Sequence, residues 1–286
     1  MPSSQPGILY VVATPIGNLA DLSQRACDTL AQCDLVVSED TRHTRGLLSH
    51  LGLDKPLHSY HKHSEREKAA GIVDRLLEGK SVALVSDAGV PVVSDPGAHL
   101  VALAAERGIR VVPVPGPSAV LSALAVSGFS GDSFVFAGYP PRKSNERRRF
   151  YETIAAAAAP TVLFEAPHRI RESLHDAAAV LGEDRPIVVA RELTKLYEEV
   201  LRGPVGELCR HFAATEPLGE FTIVLSPAEI PTTADAAAAG DLDRAVELLA
   251  ASGLRTRQAA DILAAATGLS RNEAYHRMVK AAREPE

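Results

Sequence analysis

Cysteine is scarce. The chain has three, Cys27, Cys33 and Cys209, an odd number with no CxxC pair. That excludes a disulfide framework and a four-cysteine zinc site, and it is the usage expected of a reducing cytoplasm. Long apolar runs are missing, since none approaches the roughly 18 residues of a membrane span. The opening residues MPSSQPG lack the basic and apolar regions of a secretory signal. No excess of positive charge exists, because 30 Lys and Arg face 36 Asp and Glu, a formal net charge of -6. A globally basic nucleic-acid coat is excluded, although a local basic patch is not. What is present is 286 residues, 46% hydrophobic and 23% charged. That is enough to bury a sizeable core, and at roughly 150 residues per domain it suggests about two domains.

Short β-branched runs alternate with helical patterns along most of the chain. Residues 8–14 (ILYVVAT), 34–38 (DLVVS), 81–86 (SVALVS) and 109–114 (IRVVPV) are apolar on consecutive positions, as strands buried on both faces must be. Helical segments are expected at 23–33, 41–51, 64–78 and 96–107. In the third, Ala69, Ile72, Val73, Leu76 and Leu77 make one apolar stripe, and Gly79 stands where a helix C-cap belongs. Such alternation predicts an open α/β sheet, parallel in large part. A second α/β unit is expected from strands at 133–137, 161–165, 186–192 and 220–225, with helices at 146–158 and 167–181. Residues 226–240 (SPAEIPTTADAAAAG) have linker composition, and three short amphipathic helices follow at 241–251, 256–266 and 270–282, punctuated by Gly253 and Gly268. The expected organisation is therefore 1–127 and 128–226 as two α/β domains, 227–240 as linker and 241–286 as a small helical domain.

Neither GxGxxG nor GxxxxGKS/T occurs, so the usual dinucleotide and triphosphate loops are absent. Three other loops stand out: Thr14-Pro15-Ile16-Gly17-Asn18, Ser86-Asp87-Ala88-Gly89-Val90-Pro91 running on to Ser94-Asp95-Pro96-Gly97, and Pro115-Gly116-Pro117-Ser118-Ala119. Each follows an expected strand, and open α/β sheets bind ligands at strand carboxyl ends. One such loop alone is an ordinary tight turn. Three on one edge point to a ligand site.

VATPIGNLADLS, SEDTRHT, SDAGVPVVSDPG, VPGPSA, FEAPHRI and RELTKLYEE, in this order and spacing, resemble the tetrapyrrole-methylase superfamily and, within it, the branch that acts on RNA. The resemblance spans about residues 7 to 226, and the tail is similar to that branch's small C-terminal domain. It implies the superfamily's two-domain α/β fold, with S-adenosylmethionine folded into a cleft between the domains, in a homodimer. It also implies 2′-O-ribose methylation of a cytidine in the decoding region of small-subunit rRNA, as naked RNA or assembled subunit. By the same resemblance Pro15 underlies the cofactor, Asp87, Ala88, Gly89 and Val90 contact its ribose and methionine parts, and Ser118 and Ala119 hold the methionine. Phe164 packs near the adenine, which Gly219 and Glu220 close off.

Methyl transfer to a hydroxyl is an in-line displacement that needs alignment and a proton acceptor. Glu39, Asp40 and Glu165 sit at strand ends, and Lys195 joins them if desolvation lowers its pKa. Structural pairs, Glu39 or Asp40 with Arg42 and Glu165 with Arg169, are the competing reading. His58, His61 and His63 lack a Cys or carboxylate at ligand spacing, so an RNA-facing loop is expected there and no metal. Arg142, Lys143 and Arg147, in the basic run PRKSNERRR, are candidate phosphate contacts, as are Arg42, His168 and Arg169 in the motifs of the RNA branch. Between 253 and 283 six positive residues face Asp261 and Glu273, which suits either RNA docking or a solubilising face. The competing functions are methylation of a small tetrapyrrole-like substrate and a non-catalytic ribosome-assembly role.

Overall fold

The computed structural model describes residues 5–61, 65–228, 241–251 and 254–281. The first sheet is built from β1 (Ile8–Val12), β2 (Leu35–Ser38), β3 (Leu57–Ser59), β4 (Val82–Val85) and β5 (Arg110–Val114), in the order β3-β2-β4-β1-β5. Every pairing in it is parallel. Helices α1 (Gln24–Gln32), α2 (Thr41–His50), α3 (Glu65–Leu77) and α4 (Ala98–Glu106) connect the strands. Alternation along β4 explains the layering. Leu84 packs with Ile72, Leu76 and Leu100 of α3 and α4, whereas Ala83 and Val85 pack with Ala26, Leu30 and Leu48 of α1 and α2. Both faces are covered, so a continuous apolar run is what the strand requires.

The second sheet, β6-β7-β10-β8-β9, is mixed. It comprises β6 (Val135–Phe136), β7 (Thr161–Glu165), β8 (Pro186–Arg191), β9 (Glu199–Pro204) and β10 (Phe221–Leu225), and only the β6–β7 pairing is parallel. Helices α6 (Ser144–Ile154), α7 (Ile170–Leu181) and α8 (Val205–Ala214) cover one face through Tyr151, Leu174 and Phe212. The other face is covered by α5 (Ala119–Ser127), which leaves the first sheet after β5 and packs Val120, Ala123 and Leu124 on Val162, Val188 and Val224. Strand β9 and helices α5 and α8 are additions to the elements expected from sequence, as is the short β3.

The chain divides into two compact units, Met1–Pro227 and Ala228–Glu286, and both sheets belong to the first. Of the expected linker, only residues 227 and 228 lie among the described residues. Gly253 and Arg283 lie outside them. In the second unit α9 (Asp241–Ala251), α10 (Thr256–Thr267) and α11 (Arg271–Ala281) enclose a core of Leu242, Val246, Ala260, Leu263, Ala274 and Met278. No helix of the described residues is long and apolar enough to cross a membrane.

Candidate active site

Strands β4, β1 and β5 are neighbours, so the three loops singled out in the sequence emerge side by side. The first two are stitched together. Thr14 N–H donates to the Gly89 carbonyl at 2.8 Å, Gly89 N–H returns a bond to Thr14 at 3.1 Å, and the Thr14 hydroxyl donates to the Ser86 carbonyl at 3.0 Å. Gly89 has φ +79°, the left-handed region that favours glycine. Asp87 accepts from the Asp40 amide at 3.1 Å and so ties this loop to the start of α2. Beyond it, Val92 and Ser94 are held at φ +77° and +68°. For a β-branched valine that is a strained conformation, and strain of this kind concentrates at functional sites.

A cleft of about 380 Å³ opens between these loops and the second sheet. From the first sheet it takes Asp87 to Val90, Ser94 and Asp95, and from the β5–α5 junction Ser118 to Val120. Tyr139, Phe164, Glu165, Leu193, Glu220 and Thr222 form the opposite wall. Ser118 caps α5, accepting from the Leu121 amide at 3.4 Å, and the helix's first turn presents its positive end to the cleft. Phe164 stacks edge-on to Phe136, with centroids 5.0 Å apart, and lies 5.5 Å from Tyr139, which makes an aromatic wall.

The cleft is strongly acidic, with Asp87, Asp95, Glu165 and Glu220 all on its lining. Burial raises the Asp95 carboxyl to about 6, the charges of Glu39 and Asp87 add to the rise, and the Ser86 hydroxyl opposes it. Tyr139 is pushed up by burial and then by Glu220, Asp95 and Glu165. Glu165 and Glu220 are paired with Arg169 and Lys195, which leaves Asp87 and Asp95 to favour a ligand carrying positive charge.

Residues 8–209 match the family described as Tetrapyrrole (Corrin/Porphyrin) Methylases. The chain belongs to the tetrapyrrole methylase family. Residues 236–282 match a second family, the RsmI C-terminal HTH domain. Proteins named Ribosomal RNA small subunit methyltransferase I are similar over most of their length. The one from Haemophilus influenzae is 44% identical over 94% of this chain and 95% of its own, and the one from Escherichia coli O157:H7 is 50% identical over 71% of each. Among solved structures, cobalt precorrin-4 methyltransferase superposes with a TM-score of 0.58 at 19% identity, covering 77% of this chain and 94% of its own. Diphthine synthase superposes with a TM-score of 0.57 at 16% identity, covering 77% and 90%. At such identities these two establish the fold.

As a tetrapyrrole methylase the chain takes its methyl group from S-adenosylmethionine. The cleft fits that molecule on its own evidence: carboxylates for a sulfonium and an ammonium, the α5 N-terminus for a carboxylate, and the Phe164 wall for a purine. Asp87, Ala88, Gly89, Val90, Ser118, Ala119, Phe164 and Glu220 all line it. Pro15 lines instead an adjoining cavity of about 380 Å³, with Arg42 and His43, and Asp87 faces both. Gly219 is not on the lining. Its φ is +87°, and a Cβ there would stand 2.4 Å from the Glu192 side chain, so its part is to let the chain pass Glu192.

The four candidate bases separate. Asp40 is the N-cap of α2 and an ion-pair partner of Arg42 at 2.7 Å, and the guanidinium holds its carboxyl well below the usual range. Glu165 reaches the cleft lining, but its side chain is fully buried and braces the following turn through the Ala166 amide at 2.9 Å and Arg169 at 3.4 Å. Lys195 is corrected. Burial does pull its pKa down, but bonds to Glu192 at 2.9 Å and Glu220 at 3.0 Å outweigh that and raise it, so it stays charged. Glu39 acts on the cleft through Asp95 without lining it. Asp95, in the strand-end loop SDPG, is the residue that sequence reasoning misses. Its sequence signal was a position in a strand-end loop, and only the fold brings Glu39 and Asp87 to it.

The basic candidates separate too. Arg42, His61, Arg142, Lys143 and His168 are exposed, whereas His63 lies outside the described residues. Arg147 is corrected: it is 1% exposed and bound to Asp176 at 2.7 Å, deep between α6 and α7. Arg169 is largely buried and donates to the Pro141 carbonyl at 3.0 Å, so it holds the 140–141 turn in place of facing solvent. Among the described residues no group of three or more His, Cys, Asp or Glu is placed to hold a metal ion.

Proposed function

We propose that the chain methylates the ribose 2′-hydroxyl of a cytidine in the decoding region of small-subunit rRNA. The observation that carries the oxygen-directed part is Asp95, a half-buried carboxyl on the cofactor cleft, where burial and the charges of Glu39 and Asp87 raise its pKa to about 6, a value suited to proton acceptance near neutrality. The RNA part is supported by the relatives' names over nearly the whole chain and by the matching C-terminal domain. Bound in the cleft, S-adenosylmethionine supplies an electrophilic methyl group.

The protein's own contribution is placement and proton transfer. Asp87 and the Gly89 turn set the floor, the α5 N-terminus fixes one end of the ligand, and the Phe164 wall fixes the other. Asp95 accepts the hydroxyl proton as the oxygen becomes nucleophilic. The exposed Arg42, Arg142 and Lys143 contact phosphates of the incoming strand. The test is a map of 2′-O-methyl positions on rRNA from cells with and without the protein. Loss of one cytidine mark in the decoding region is expected. An unchanged map, or loss of a base methyl instead, contradicts the assignment.

A further inference from the structure

The α10–α11 pair has helix-turn-helix form, with three residues, Gly268, Leu269 and Ser270, joining the helices and Gly268 at φ +69° closing the first. Ala259, Ala260 and Leu263 of α10 and Ala274 and Met278 of α11 are buried in one core with Leu242 and Val246 of α9, whereas Ile262 of α10 is 47% exposed. Facing outward between the two helices is a cup of about 390 Å³ lined by Arg257, Ala260, Asp261, Arg271, Asn272 and Tyr275. Ala260 makes a small floor and leaves the Tyr275 ring 39% exposed at the side. Two guanidiniums, an amide and an exposed phenol ring within one concavity combine phosphate contact, base-edge hydrogen bonding and stacking.

In DNA-binding proteins this motif inserts its second helix into a wide major groove. The major groove of A-form RNA is too deep and narrow for that, so proteins read RNA sequence at unpaired nucleotides stacked on aromatic side chains. We infer that the cup between α10 and α11 binds an unpaired nucleotide of RNA, with Tyr275 stacking on the base and Arg257 and Arg271 on the adjoining phosphates. This rests on the reading that the substrate is RNA. Among the described residues the one carboxylate on the cup, Asp261, pairs with Arg271 at 3.1 Å with both side chains largely exposed, a pair weak enough for a phosphate to replace. Asn272, on the same rim, offers a donor and an acceptor to a base edge.

The full chain and three variants, Tyr275→Ala, Tyr275→Phe and Arg257→Gln/Arg271→Gln, are titrated against a single-stranded RNA and a blunt RNA duplex over a range of salt. Tyr275→Ala is expected to lose about five- to hundredfold in single-strand affinity with an unchanged salt slope, and Tyr275→Phe to keep its affinity. The double arginine variant is expected to flatten the slope by about 1.4, two phosphate contacts' worth on single-stranded RNA. Wild-type preference for the duplex, or a Tyr275→Ala or double arginine variant that binds as wild type does, would overturn the inference. Assembled small subunits are titrated in parallel, and a loss of affinity confined to them would also overturn it by making the partner a protein. Methylation of small-subunit RNA by the wild type is measured in parallel. Its absence would sink the proposed function, while the binding series still decides the cup.

Discussion

Lys195 lies directly across Gly17. A Cβ on Gly17 would stand 2.3 Å from Lys195 Cγ, so only a glycine in the β1 loop lets the lysine pass. From there Lys195 bridges Glu192 and Glu220, at the ends of β8 and β10. Lys195 thus ties two strand ends of the second sheet together while its stem packs on the β1 loop of the first. Gly17→Ala is expected to displace it and loosen the Glu220 wall. Calorimetry should show cofactor affinity weaker by roughly tenfold, equivalent to about 1.4 kcal/mol, with little change in Tm.

On the proposed mechanism Asp95 is expected to set the acid limb of activity. Its carboxyl works ionised, so kcat/KM should rise with pH through about 6. A cationic cofactor favours the carboxylate, so the limb in kcat should lie at lower pH. Asp95→Asn is expected to cut kcat by about 10²–10⁴-fold and abolish that limb. A variant that keeps the limb, or turns over normally, assigns the proton to another group.

Asp87 joins the cleft to the start of α2 through the Asp40 amide. Replacing it with alanine removes a polar partner from both. Asp87→Ala should weaken cofactor binding by about 1–3 kcal/mol, measured by titration calorimetry.

Arg147 and Arg149 stand two residues apart and should behave in opposite ways. Arg147→Met leaves Asp176 buried with a reduced set of partners, and unfolding stability should fall by about 3 kcal/mol. Asp176 is raised by burial, but bonds from Arg148, Ser144 and Arg147 outweigh this and hold it below its ordinary range. Its stabilisation is therefore full above the ordinary carboxylate pKa and fades on acidification. Arg149→Ala, on the exposed side of α6, should leave urea unfolding unchanged and weaken RNA binding.

The family resemblance carries the expectation of a homodimer. Light scattering on the purified chain should give twice the 30.3 kDa monomer mass. A monomer well above micromolar concentration would contradict it.

Most of the first sheet was readable because strands such as β4 are β-branched, short and buried on both faces. Helix α5 was not, since AVLSALAVS has no polar side and hence no period to detect. Strand β9 is a half-buried edge carrying Arg202, Gly203 and Pro204, residues that weaken a strand pattern. The loops that bear the site were visible as Gly- and Pro-rich punctuation. The charge crowding at Asp95 was not, because Glu39 arrives from another strand. For Arg147 a signal did exist: Tyr151, four residues on, shares its buried helix face.

Helix α5 starts on the cofactor cleft and ends as the cover over one face of the second sheet. A graft that exchanged the second half at residue 127 would strip Val162, Val188 and Val224 of that cover. Recombination between relatives of this chain should therefore succeed at crossovers placed before Pro115, so that the turn that leads into α5, the helix and the second sheet are inherited as one piece.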